Sequence, residues 1–405
     1  MTAKMTPEFR VAEGWPLERV DSKVQAQAVR ALVANHTLIV GQSRSGKTNA
    51  ARRLIEEILT WTKTRVIILD PNADFRWLAQ PKGAEKQFAR RWRRISQQIG
   101  IAAPDGEAWG IHWSKLSMEE MAAFVRVTPK ETFAEYRHLD RHLNYEKEKS
   151  GRVGTLREFI KSHYFEVAVG EESERYRLLL QELSNLKVWA VDTKKDLDSL
   201  LKAHRRAVVV DLSIDNDQVR TITAARALEA LGRQGEEKRK KFVRGGDDSA
   251  KRRGRQRDWI GTLVVIDEGH LFAPPQSEDP QKRLVCERIK RFADQGKKLN
   301  LYLMVITQQP GKLHRDVLSE CTNRIIMRVN ERRSLRMLEQ TYGGLPGRYE
   351  GALTFNAGEA LVEGALLCDE SPPPPVPRGV QFFMARTREG GGTPDADYWA
   401  LPKLV

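Results

Sequence analysis

Residues 37–48 read Thr37-Leu38-Ile39-Val40-Gly41-Gln42-Ser43-Arg44-Ser45-Gly46-Lys47-Thr48. A short apolar run is followed by a Gly/Ser-rich turn, and Lys-Thr then opens a helix-forming stretch. This is the GxxxxGK[ST] phosphate loop in the context it needs: strand, loop, helix. The glycines let backbone N–H groups turn inward onto a polyphosphate. Lys47 offers a point charge to the β- and γ-phosphates, and Thr48 offers a hydroxyl to Mg²⁺. A helix starting near Lys47 aims its positive end at the same anion. The expected nucleotide-binding set is Gly41, Ser43, Ser45, Gly46, Lys47, Thr48 and Asn49.

Outward from this loop the chain reads as an α/β protein with a mostly parallel sheet. Arg65–Leu69 is a continuous apolar run ending in Asp70-Pro71-Asn72-Ala73-Asp74-Phe75, the pattern of a strand covered on both faces. Similar runs occur at Ala207–Leu212, Thr262–Ile266, Leu301–Ile306 and Arg324–Val329. Residues 1–36 form a lead-in, with a helix expected over Asp21–Leu32. Core segments are expected at 37–78 and 206–366. Between them, residues 79–205 show no clear strand but helical periodicity at Met118–Phe124, Leu156–Phe165 and Tyr176–Ala190, which reads as a helical insertion. A helix is expected over about Gln218–Leu231. The charged stretch 233–258 reads as a flexible loop, and 367–405, with Pro372–Pro375 and a glycine run, as an extended tail.

Two further strand ends carry chemistry. Thr262-Leu263-Val264-Val265-Ile266-Asp267-Glu268 ends in two acids. Asp267 suits the Mg²⁺ shell opposite Thr48, and Glu268 suits polarising an attacking water. The second acid points to hydrolysis, because a pure nucleotide binder has no need of it. Leu301–Ile306 ends in Thr307-Gln308, where an amide can contact the γ-phosphate and report the nucleotide state. The catalytic set is therefore Lys47, Glu268 and Gln308, with Thr48 and Asp267 for the metal.

The bulk composition narrows the setting. The 405 residues carry a net charge of +14, with 40% hydrophobic and 30% charged residues. This fits a soluble protein with a polyanionic partner. No apolar run is long enough to span a bilayer, and the first residues lack the core of a signal peptide, so no membrane role and a cytoplasmic location are expected. Cys286, Cys321 and Cys368 are far apart and lack a CxxC or CxxH neighbour, which supports neither a disulfide framework nor a zinc site.

Taken in order, VIILDPNADF at 66–75, VVVDLS at 208–213, LVVIDEGHLFAPP at 263–275, LMVITQQPGKLHRDVLSECTNRIIMRV at 303–329 and GEALVEG at 358–364 resemble the HerA branch of the FtsK–HerA superfamily of P-loop ATPases. The resemblance covers roughly 30–78 and 205–366. It implies a RecA-like core with a helical insertion, assembled as a homo-oligomeric, hexameric ring on double-stranded DNA, with ATP between subunits and hydrolysis driving translocation. Such rings set a basic residue from the neighbour against the γ-phosphate, and Arg291, Lys297, Arg324 and Arg328 lie in the matching stretch. The chain departs from the pattern in places. Ala73-Asp74 stands where the family has Gly-Glu. Gly296-Lys297-Lys298 replaces Gly-Arg-Lys, and lysine lacks the arginine fork. The small β-barrel that precedes the phosphate loop in cellular HerA is not expected within residues 1–36, so its usual nuclease partner does not carry over.

Basic clusters are candidates for phosphate-backbone contact. Lys251, Arg252, Arg253 and Arg255 lie in the charged loop, and Lys312 and Arg315 follow the third motif. Arg90-Arg91-Trp92-Arg93-Arg94 reads as helical surface. The leading expectation is an ATP-hydrolysing translocase on duplex DNA, in DNA processing, genome packaging or mobile-element transfer. The alternative is an ATPase scaffold that gates a nuclease or other effector protein in a defence or regulatory complex.

Overall fold

The computed structural model describes residues 12–13, 31–79, 92–103, 110–126, 156–160, 174–190, 196–202, 205–244, 260–366 and 377–385. Ten strands form one sheet: β1 (Ala12–Glu13), β2 (Thr37–Val40), β3 (Arg65–Asp70), β4 (Ile99–Ala102), β5 (Ala207–Asp211), β6 (Thr262–Ile266), β7 (Leu301–Thr307), β8 (Asn323–Met327), β9 (Glu359–Glu363) and β10 (Arg378–Phe382). Their order is β1-β10-β9-β8-β2-β7-β6-β3-β5-β4. From β8 to β4 every neighbouring pair is parallel, and β9, β10 and β1 add antiparallel at one end. The central strands are buried throughout, as their unbroken Val/Ile/Leu runs require.

The helices are α1 (Lys47–Trp61), α2 (Met118–Phe124), α3 (Leu156–Ile160), α4 (Glu174–Asn185), α5 (Leu197–Lys202), α6 (Asp217–Arg244), α7 (Pro280–Leu299), α8 (Arg315–Glu320) and α9 (Arg332–Thr341). Leu54, Ile55 and Ile58 of α1 pack on one face of the sheet with Ile39, Ile68 and Trp92. Leu228 and Leu231 of α6 and Ile289 and Phe292 of α7 cover the other face with α2, α4 and α5. Each apolar layer removes its side chains from water at roughly 25 cal/mol per Å².

Three sequence expectations change. The stretch expected to lack strands contributes β4, a four-residue edge strand pairing with β5. Its run is too short to announce itself against helix-like neighbours. The charged stretch expected as loop from 233 is helical to Arg244. Glu, Lys and Arg are good helix formers, and Arg233 pairs with Glu229 one turn back at 2.8 Å. Gly232 and Gly235 belong to this helix because Phe292 and Leu299 of α7 press against it there. The segment expected as tail supplies β10, paired to β9.

The helices between β3 and β5 are fastened to the core by a buried charge cluster. Ser117 and Glu120 form a reciprocal capping box at the start of α2. Glu120 also accepts from Arg226 of α6 at 2.9 Å and from Arg288 of α7 at 3.3 Å, and Arg226 grips Asp198 of α5. Buried charges persist only when paired in this way.

Candidate active site

The phosphate loop hangs between two strands. Gly41 N–H donates to Thr307 O at 3.3 Å and Gln42 N–H to Arg328 O at 2.8 Å. Gly46, at φ 99°, turns the chain into α1. The left-handed conformation suits glycine, and the Gly358 backbone lies 3.1 Å from where a Cβ would stand. The first turn of α1 has no side-chain cap and no acidic residue, so its N–H groups are open to an anion. Lys47 is buried and donates to Gln42 O at 2.9 Å. Burial lowers its pKa, and Glu268, Asp267 and Asp74 oppose that shift. The Ser45 hydroxyl is buried without a hydrogen-bond partner. An orphaned donor, an uncapped helix start and a buried cation fit a polyphosphate.

Asn49 has a task other than the expected one. Its Nδ2 donates to Phe383 O at 3.0 Å and its Oδ1 accepts from Ala385 N–H at 2.8 Å. Both amide groups are therefore committed to the backbone after β10. Gly358 N–H donates to Ser45 O at 2.8 Å and Phe382 N–H to Gly358 O at 2.9 Å. The turn directly before β9, together with the end of β10, thus walls one side of the phosphate loop.

The acids lie on the other side. β7 stands between the phosphate-loop strand β2 and the acid strand β6, which sets Thr307 and Gln308 between Lys47 and Glu268. Asp267 is buried, and its pKa is pushed up to about 8 by desolvation and by Glu268, Asp70 and Asp74. Asp70 is raised to about 6, mainly by burial. A divalent cation would relieve this crowding of carboxylates. Among the described residues no three His, Cys, Asp or Glu side chains form a metal cage. Asp267 and Thr48 are the residues that would hold such a cation, which would supply charge neutralisation to bound phosphates. Asn72 Nδ2 lies 3.4 Å from Asp267 Oδ2. Ala73, where the sequence pattern expects glycine, is held at φ 60°, a conformation costly for any residue with a Cβ.

Glu268 also has left-handed backbone, φ 45° and ψ 50°. Strain of this kind gathers where a side chain must be aimed. The Gln308 amide donates to Glu268 Oε1, a contact the sequence did not reveal. His270, inside the motif at 263–275, also reaches this site. Its Nδ1 is 3.2 Å from Thr307 Oγ1 and 3.4 Å from Glu268 Oε2. The available signal was its position two residues after the base.

The four basic candidates for action on a neighbour separate. The Arg324 guanidinium is committed within its own chain: it pairs with Glu363 at 3.0 Å and lies 4.2 Å over the Tyr342 ring. Glu363 also takes Arg348 and the Tyr349 hydroxyl, a role the sequence did not reveal. Arg291 pairs with Glu236 on the outer face of α6 and α7. Lys297 is exposed near the end of α7. Arg328 follows β8 beside the phosphate loop, with its Nε buried and without a hydrogen-bond partner. Of the four it is the one set at the nucleotide end of the sheet.

Among the candidate DNA contacts, Lys312 and Arg315 are exposed just after β7, and the Lys312 charge reaches His270. Lys251, Arg252, Arg253 and Arg255 lie outside the described residues, as do Arg90 and Arg91. Trp92 is a core residue, its Nε1 donating to Leu78 O at 2.9 Å.

Residues 14–229 match the model of the central domain of helicase HerA, more than half of the chain. The chain belongs to the HerA central-domain family. The HerA double-strand break repair helicase of Pyrococcus furiosus is 26% identical over 375 residues, 83% of this chain and 64% of the relative. That of Sulfolobus acidocaldarius is 25% identical over 269 residues, 62% of this chain and 50% of the relative. The chain therefore spans between half and about two thirds of the length of these HerA helicases. Its fold resembles VirB4 of Thermoanaerobacter pseudethanolicus, with a TM-score of 0.59, 15% identity and coverage of 86% of this chain and 89% of that one. It also resembles the bacterial conjugative coupling protein TrwB, with a TM-score of 0.54, 11% identity and coverage of 95% and 92%. This HerA-family core is thus a RecA-like P-loop fold with a mostly parallel sheet. Among the described residues no helix is long and apolar enough to cross a membrane.

Proposed function

We propose that this chain is an ATP-hydrolysing motor that moves on double-stranded DNA as a homo-oligomeric ring. The observation that carries the reading is the convergence of Lys47, Asp267, Glu268 and Gln308 at the carboxyl ends of adjacent strands. An uncapped helix start lies on one side of them and a buried acid cluster on the other. The family match, the HerA helicases it resembles and the +14 charge support DNA as the track.

In this reading the loop N–H groups and Lys47 bind the β- and γ-phosphates of ATP. Thr48 and Asp267 hold Mg²⁺, which supplies charge neutralisation on the phosphates when bound. Glu268 accepts the proton of the attacking water. Gln308, in contact with Glu268, passes the state of the site through the segment that follows β7 to Lys312 and Arg315, which grip the phosphate backbone without reading bases. Of the four residues considered for action on a neighbour, Arg328 lies beside this chain's own phosphate loop.

The test is the steady-state ATPase rate with and without linear duplex DNA, with Lys47→Ala as blank. Stimulation by duplex is expected. A rate indifferent to DNA would overturn the motor reading and favour an ATPase that gates a partner protein. No turnover above the Lys47→Ala blank would overturn hydrolysis itself.

A further inference from the structure

The turn after β6 is tightly fixed. Gly269 lies against β7 so closely that a Cβ would stand 2.5 Å from Val305 Cγ1. Leu271 N–H donates to Glu268 O at 2.8 Å, and Ala273 O accepts from His314 N–H at 2.7 Å. The turn carrying His270 is thus bonded to the segment carrying Lys312 and Arg315. The imidazole is 15% exposed and the Glu268 side chain 9%.

Glu268 has two carboxylate oxygens with unequal surroundings. Oε1 receives the Gln308 amide, while Oε2 is buried without a hydrogen-bond partner. A buried carboxylate oxygen left unserved in this way is destabilising. The ring nitrogen of His270 stands 3.4 Å from it, and the same nitrogen contacts Thr307 Oγ1. Thr307 Oγ1 in turn accepts from Gln309 N–H at 3.1 Å, which orients the hydroxyl.

We infer that His270 is a positioning residue for Glu268: its Nδ1–H serves Glu268 Oε2, and its contact with Thr307 ties the base to the end of β7. The inference rests on the hydrolytic reading of Glu268. Burial disfavours the charged ring; Glu268 opposes that shift, and Lys312 and Lys47 add to it. A neutral ring carries one N–H, and the carboxylate calls for it on Nδ1. The device joins the acid strand to the strand that leads to the candidate DNA contacts, so it also couples the base to the track.

The experiment compares His270→Ala, His270→Asn and His270→Gln in the ATPase assay. An Asn amide nitrogen reaches the place of Nδ1, and a Gln amide reaches that of Nε2. His270→Ala is expected to lower kcat by roughly 10–100-fold with KM within about twofold. His270→Asn should recover most of the loss, and His270→Gln should not. Unchanged kcat, or equal rescue by Asn and Gln, would overturn the inference. A second measurement does not depend on turnover. The ¹⁵N resonances of His270, assigned by their loss in His270→Asn, should show the neutral Nδ1–H tautomer at pH 7.5. The Nε2–H tautomer would overturn the inference even if wild-type protein proved inactive, an outcome that would by itself sink only the hydrolytic reading.

Discussion

The side chain of Asn49 holds the backbone of Phe383: amide nitrogen to carbonyl, 3.0 Å, with the amide oxygen accepting from Ala385 N–H at 2.8 Å. One residue after Thr48, the start of α1 is stitched to the last described strand. Asn49→Ala is expected to cost about 1–2 kcal/mol, the loss of two hydrogen bonds at a partly buried site. It should also make 377–385 the first site of limited proteolysis. A loss of nucleotide affinity with unchanged stability and proteolysis would restore Asn49 to the nucleotide-binding set.

Lys47 and Glu268 separate binding from turnover. Lys47→Ala removes the buried cation of the loop and should abolish tight ATP binding. Glu268→Gln keeps the shape and loses the proton acceptor. It should bind ATP and turn over about 10²–10⁴-fold more slowly. Fluorescent-nucleotide titration beside phosphate release checks both, and rapid turnover by Glu268→Gln would move the base elsewhere.

His36 predicts an acid-side loss of stability. Its Nδ1 accepts from Leu303 N–H at 2.9 Å, and burial lowers its pKa from 6.5 to about 4. The folded state keeps the ring neutral while the unfolded chain protonates below 6.5, so stability falls as pH drops from about 6.5 toward 4. The loss between pH 7 and pH 5 is about 2 kcal/mol from this residue. Denaturant melts at the two pH values should show that difference shrink in His36→Gln. An unaltered pH slope would remove His36 as its source.

Cys286 and Cys321 are buried, with thiols pushed up to about 11 and about 12. Thiolate is the reactive form. In a Cys368→Ser background, a thiol reagent at pH 8 should therefore find almost no reactive thiol in the native protein and two after unfolding. Rapid labelling of the native form would contradict the burial.

Much of the fold and of the nucleotide site was legible because the strands that carry the chemistry are buried on both faces. β2, β3, β5, β6 and β7 announce themselves as unbroken apolar runs, and each stops where a polar group must face a ligand or a turn. The edge strand β4 and the short strand β10, which lies between β9 and the two-residue β1, were not legible, because neither carries such a run. The extension of α6 was hidden by charge. Its glycines read as breakers, but Gly232 and Gly235 are where α6 approaches Phe292 and Leu299 of α7, a relation between distant residues. The same limit hid the partners of Asn49 and Glu363. Each bonds to residues far along the chain, and no local spacing encodes that.

The antiparallel end of the sheet has a mechanical consequence. A pull on the chain beyond Ala385 meets the Asn49 amide and the Ser45–Gly358–Phe382 backbone bonds before it meets any core strand. The load path from that end of the polypeptide thus runs first through the loop that grips phosphate. Tension there would be felt at the nucleotide while the central sheet stayed whole.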